Sequence, residues 1–220
     1  MRYKSSNFGC NGFTLVELLV ALMVTSIVLA AVATLAYAMG TANDVMSDTG
    51  QKQAEVRYAT LRISELIRHS KLICGTTGND IVLWKADNNP NNGKINVLEI
   101  AYIQRGGSGD YIRILEFSTC PGWLESWFES CSNQVDTVDD VWFRDFLIGQ
   151  CEETYTRVLP QCSNVEFGFD VSPPWSRFVS ISFDLVENGV AHHYQISAAL
   201  RGWAEHLLNE AGDAIVSDDD

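Results

Sequence analysis

Any chemistry this sequence performs would have to come from carboxylates, amides and thiols. It contains no G-x-S-x-G, H-E-x-x-H, P-loop or dinucleotide fingerprint. His192 and His193 are neighbours in "VAHHYQISAAL", whose composition predicts a strand, so their side chains leave on opposite faces and cannot converge. The expectation is therefore a chain that is not an enzyme. A different possibility lies in "ADNNPNNGKINVLE" at 86–99, where Asn92, Gly93 and Glu99 keep the spacing of the later half of an EF-hand loop. Asp87 and Asn89 lie upstream as further oxygen donors, but Pro90 falls where a ligand belongs and the flanks read as strands. Two readings stay open. One is calcium in a distorted loop held by Asp87, Asn89, Asn92 and Glu99; the other is an Asn/Gly-rich hairpin connection. No cofactor is required by either.

The acid hardest to place is Glu17, at the head of an apolar run. From Leu18 through Asn43 there is no Asp, Glu, Lys or Arg. That length exceeds the roughly 20 residues needed to cross a bilayer as a helix, and a secretory signal would have an apolar core of only about 7 to 15. The stretch is read as a retained transmembrane helix over 13–40, preceded by a short head, 1–12, with Arg2 and Lys4 as its charges. Positive charge before the span and acid after it predict a cytoplasmic head and an exported remainder.

Composition agrees with an exported, membrane-anchored protein. The 28 acidic against 15 basic residues give a formal net charge of -13, which argues against nucleic-acid binding through phosphate contacts. Cys120, Cys131, Cys151 and Cys162 fall in the part where oxidation is possible, with equal spacing inside each pair. Local bridges (Cys120 to Cys131, Cys151 to Cys162), nested bridges (Cys120 to Cys162, Cys131 to Cys151) and buried free thiols all satisfy that spacing. Cys74 is left over.

The elements that must position these residues follow from periodicity. Ala54, Tyr58, Leu61, Ile63, Leu66, Ile67 and Ile73 recur at helical spacing, so 41–73 reads as an amphipathic continuation of the membrane helix, with Gly40 and Gly50 as places where it could bend. Residues 74–205 read as an antiparallel β domain. Its first strands are "DIVLWKA", "KINVLEIAYIQ" and "DYIRILEFS", the last two joined by the turn "RGGSGD". A second group is "NVEFGFDV", "RFVSISFDLV" and "VAHHYQISAAL", with Asn188-Gly189 as a tight hairpin turn. Between the groups, about 119–163 is read as a Cys/Trp-rich insertion with short helices, its aromatic residues packed on the sheet. Residues 206–220 read as an acidic tail. The fold class expected is α+β, a long N-terminal helix against antiparallel sheet.

The run Gly12-Phe13-Thr14-Leu15-Val16-Glu17-Leu18-Leu19-Val20-Ala21 resembles the processing site of type IV pilins and type II secretion pseudopilins: glycine, phenylalanine, then an apolar run with glutamate in fifth place. The closing "HHYQISAALRGW" is similar to the last strand of the larger, J-type minor pseudopilins. The resemblance implies cleavage between Gly12 and Phe13 by a prepilin peptidase, N-methylation of Phe13, and assembly with other pilin or pseudopilin subunits through Glu17. It implies a pilin-like fold, an inner-membrane anchor, and a domain that is periplasmic or in an extracytoplasmic filament. The function expected is a minor pseudopilin of a type II secretion system. The alternatives are a minor type IV pilin, or a signal-anchored binding module unrelated to filaments.

Overall fold

A computed structural model describes residues 13–77, 79–86, 94–107, 110–202 and 205–216. It forms two compact units, one through Asp48 and one from Thr49 onward, joined within a single long helix, α1 (Leu15–His69). The described part of the first unit is helix from Leu15 onward, and every described residue of it up to Met46 is exposed. The second unit is α+β, as expected.

Within the second unit, α1 stops at His69 and does not reach Ile73. Leu72–Thr76 instead forms strand β1, so the apolar pair Leu72-Ile73, which extends the helical period, belongs to a sheet. The following strands are β2 (Asp80–Trp84), β3 (Ile100–Arg105) and β4 (Ile112–Thr119). A 3-10 turn, Val97–Glu99, occupies the first half of the segment read as one long strand before β3. Three short helices come next: α2 (Gly122–Glu129), α3 (Gln134–Asp139) and α4 (Val141–Gln150). The chain then enters β5 (Glu152–Leu159), which sequence reading had placed inside the insertion. Strands β6 (Ser163–Phe169), β7 (Phe178–Glu187) and β8 (Val190–Ala199) complete the set.

These strands make two antiparallel sheets, ordered β1-β2-β3-β4-β5 and β6-β7-β8. The turn from β7 to β8 uses Asn188 and Gly189, both at positive φ, as the asparagine-glycine pair requires. One core lies between the sheets and the helix. Ala59, Ile63 and Ile67, one helical turn apart, pack with Ile81, Leu83, Ile103 and Ile114 of the larger sheet and Val179, Ile181 and Phe183 of the smaller. The opposite face of the larger sheet makes a second core. There Val82, Trp84, Tyr102, Leu115 and Phe117 meet Leu124, Phe128, Val138, Phe143 and Leu147 of the inserted helices. Strand β2 is consequently buried at all five positions, which is why it reads as an apolar run from Ile81 to Trp84 after Asp80, while β7 alternates because only one of its faces is covered. Leu207 and Leu208 join the second core and Leu208 bridges to Ile215, so the domain continues past residue 205 into the segment read as a tail. The last residues of that tail, 217–220, lie outside the described residues.

The disulfide pairing differs from both arrangements expected. Cys120 is bonded to Cys151, whereas Cys74, Cys131 and Cys162 are free thiols. The reason is register. β4 pairs with β5 as far as Thr119 opposite Glu152, so the next residue outward on each strand, Cys120 and Cys151, meets across the ladder. The bridge closes the neck of the helical insertion, which therefore ends at residue 151 and not at 163. Burial pushes the Cys74 thiol well above its ordinary range and Cys162 up to about 12, so neither is a ready nucleophile.

Gly75 of β1 and Asp139 of α3 touch so closely that a Cβ at Gly75 would lie 2.1 Å from the Asp139 carboxyl carbon. The Asp139 Oδ1 atom is buried with no hydrogen-bond partner among the described residues. Burial, reinforced by Asp136 and Asp140, raises its pKa to about 6. The folded chain then holds a proton that the unfolded chain releases near the ordinary value of 3.8, so this group's contribution to stability falls as pH rises from about 4 to 6.

Three outcomes are expected. Thermal melts across that pH window should show Asp139→Asn losing this decline and gaining stability over the parent above pH 6. Non-reducing peptide mapping should recover a Cys120–Cys151 linked pair. Because that bridge closes a 31-residue separation, Cys120→Ser should cost about 2–4 kcal/mol in denaturant unfolding.

Candidate functional site

The N-terminal site is built by the way α1 begins. Phe13 and Thr14 precede the helix, and Thr14 caps it. The Thr14 hydroxyl accepts from the Glu17 backbone N–H at 3.2 Å, and its carbonyl accepts from Leu18 N–H at 3.2 Å. Such a cap contributes about 1 kcal/mol by satisfying a donor that the first turn leaves open. Sequence reading passed over Thr14, although Thr-x-x-Glu just before an apolar run is a capping signature. Glu17 thus sits in the first turn, where the positive end of the helix dipole favours a negative charge by about 0.3–1 kcal/mol. No side chain among the described residues donates to its carboxylate.

Beyond Glu17 the helix meets the requirements of a lipid-facing segment. It is the one helix among the described residues long and apolar enough to cross a membrane. Its hydroxyls are satisfied internally: Thr25 donates to the Ala21 carbonyl at 2.9 Å, Ser26 to Met23 at 2.8 Å, and Thr34 to Ala30 at 2.8 Å. Back-bonding of this kind lets polar side chains stand in hydrocarbon without water. Glu17 is the exception, and Phe13 is 78 % exposed beside it. The remaining member of the motif, Gly12, lies outside the described residues.

Of the calcium candidates, Asp87, Asn89 and Asn92 also lie outside the described residues. Glu99 is buried, and its Oε2 accepts from Trp84 Nε1 at 3.1 Å and from Asn96 N and Nδ2, both at 3.3 Å. Gln134 pins the same segment to the insertion, with its Oε1 accepting from Ile95 N at 3.0 Å and its Nε2 donating to the Ile95 carbonyl at 3.1 Å. No group of three or more His, Cys, Asp or Glu converges among the described residues. His193 pairs with Asp184 at 2.8 Å and does not face a common site with His192, its neighbour on β8. Glu99 therefore has a structural duty whatever the loop binds. Replacing it with alanine strips the acceptor from a buried indole and a buried amide.

Glu99→Ala should accordingly lower stability by about 1–3 kcal/mol in calcium-free urea unfolding. Calorimetric titration of the parent chain with calcium chloride tests the ion separately: saturable heat lost in Glu99→Ala supports a distorted loop, and a flat parent isotherm ends that reading.

Residues 7–33 match the family model described as the prokaryotic N-terminal methylation motif. Comparison with curated proteins and with solved structures gave no match. The match begins upstream of Gly12 and runs into the apolar helix, so it spans Gly12, Phe13 and Glu17.

Proposed function

We infer that the motif at 7–33 marks a substrate of prepilin peptidase and, with it, a type IV pilin-like or pseudopilin subunit with a structural role. We propose that the chain is a minor pseudopilin of a type II secretion system. A prepilin peptidase cuts between Gly12 and Phe13, Phe13 is N-methylated, and Glu17 pairs with the amine of Phe13 on a neighbouring subunit. The observation that carries the proposal is the coincidence of the motif with a carboxylate that has no side-chain donor among the described residues. A carboxylate at the centre of a membrane helix costs about 2.5–3.5 kcal/mol, less near an end, and such a group is expected to have a partner at the same depth. Cleavage creates a cation there. Pairing between staggered helices then fixes their register, the best-attested use of a buried charge pair.

On this reading the leader is cytoplasmic, the helix crosses the inner membrane once, and the disulfide-bonded domain lies in the periplasm or in a filament. The bridge between Cys120 and Cys151 suits an oxidising compartment. Similarity of the last strand to J-type minor pseudopilins supports a place among the larger minor subunits. A minor type IV pilin is the second reading, favoured by one observation. Trp123, Trp127 and Trp142 stand 57, 43 and 63 % exposed on the insertion, an aromatic surface suited to adhesion.

Coexpression with a prepilin peptidase and mass spectrometry of the product should give a chain starting at methylated Phe13; an uncut Met1 terminus would refute the processing step. Glu17→Ala should still be cut but should fail to enter filaments, and unchanged incorporation would leave a signal-anchored module as the better account. Copurification with secretion-system subunits, as against pilus-machine subunits, separates the first two readings.

A further inference from the structure

Strands β4 and β5 set two arginines directly opposite each other, Arg113 against Arg157. Like charges in that relation destabilise a sheet, and this chain has 28 acidic side chains from which to supply a counter-charge. Other cations use them: Lys52 pairs with Glu55, Lys85 with Glu116, and Arg144 with both Asp80 and Asp145. Among the described residues, no carboxylate pairs with Arg113 or Arg157.

Aromatic rings hold the two guanidinium groups instead. Arg113 lies 4.1 Å from the ring centroid of Tyr155 and 5.6 Å from that of Tyr111, and Arg157 lies 4.9 Å from Tyr111. The Tyr111 ring is fixed against the backbone of Gly106, where an added Cβ would come within 2.4 Å of it, and Gly106 N–H donates to the Tyr111 carbonyl at 2.9 Å. Gln104 Oε1 accepts from Arg113 Nε at 2.9 Å, which orients the guanidinium. The terminal nitrogens of Arg113 have no acceptor among the described residues. Arg113 also lines a cleft of about 220 Å³ with Asn79, Arg105 and Arg144, where the two acids of the lining, Asp80 and Asp145, are both taken up by Arg144. Arg105 adds a third cation there with no carboxylate partner among the described residues, its Nε bonded to Asn79 Oδ1 at 2.7 Å and its Nη1 to the Val165 carbonyl at 3.0 Å.

A guanidinium stacked on a ring keeps its in-plane N–H fork available, and that fork matches a carboxylate. We propose that Arg113 and Arg157, held on Tyr111 and Tyr155, form a carboxylate-binding site that takes an acidic segment of a partner polypeptide. The site opens on β5, the edge strand of the larger sheet, whose first four residues are exposed, so an extended segment can lie along it. A nucleic acid is disfavoured because its affinity rests on many phosphate contacts, and this site offers two guanidinium groups.

The test uses the full chain in a neutral detergent and a hexaglutamate peptide as probe, followed by titration calorimetry at low salt, with citrate as the free-carboxylate arm. Hexaglutamate is expected to bind saturably and to weaken as salt rises. The double variant Arg113→Gln/Arg157→Gln should lose about tenfold or more in affinity, and Arg113→Lys/Arg157→Lys should fall between, because lysine keeps charge and loses the fork. Circular dichroism confirms that both variants fold. The proposal is overturned if hexaglutamate gives no heat, if the glutamine variant binds it as tightly as the parent, or if citrate binds and hexaglutamate does not.

Discussion

One sheet with two apolar faces sets the terms for the rest of the α+β unit. Ile81, Leu83 and Ile103 point to one side of the five-stranded sheet and Val82, Trp84 and Tyr102 to the other, so each side must be covered. A fully buried side chain of this size contributes about 1.5–3 kcal/mol relative to exposure, and leaving either face wet would forfeit many such contributions. The part of α1 that follows Thr49 and the β6-β7-β8 sheet cover the first face. Helices α2, α3 and α4 cover the second, together with Leu207 and Leu208. The aromatic residues of the insertion are thus chiefly structural: Phe128 and Phe143 stack at 5.0 Å beneath it, while three tryptophans remain on its outer side.

That requirement also explains the cysteines. An insertion of some thirty residues between two paired strands must leave and rejoin the sheet at adjacent points, and a bridge at those points costs little distortion while constraining the unfolded chain. Cys74 and Cys162 lie in the two cores, where they behave as small apolar side chains.

The N-terminal helix obeys a different constraint, that of a segment with lipid for solvent. Every backbone group must be satisfied within the helix, and Thr14, Thr25, Ser26 and Thr34 turn their hydroxyls to that end or to the backbone they cap. Glu17 stands apart because no side chain among the described residues donates to its carboxylate. The same contrast recurs in the second unit, where Arg113 and Arg157 have no acid paired with them among the described residues of an acidic protein. In both places an uncompensated charge is the informative feature, since the surrounding structure shows how readily charges are otherwise matched.

Much of this was legible in the amino-acid order alone. Leu18 to Asn43 specified a membrane-length helix by composition, Asn188-Gly189 specified a tight turn by its backbone freedom, and alternation in β7 announced a sheet with one covered face. The motif around Glu17 was also legible, because processing signals are read locally by another protein. Strand β1 was not, since Leu72 and Ile73 prolong a helical period and only pairing with β2 makes them a strand. Strand β5, "EETYTRVL", was hidden because an edge strand exposed for most of its length carries no apolar signature. With β5 hidden, its register to β4 was hidden too, and with it both the Cys120–Cys151 bridge and the Arg113–Arg157 juxtaposition. Those are contacts between residues far apart in the chain, and local preference carries no information about which distant residue will be brought opposite.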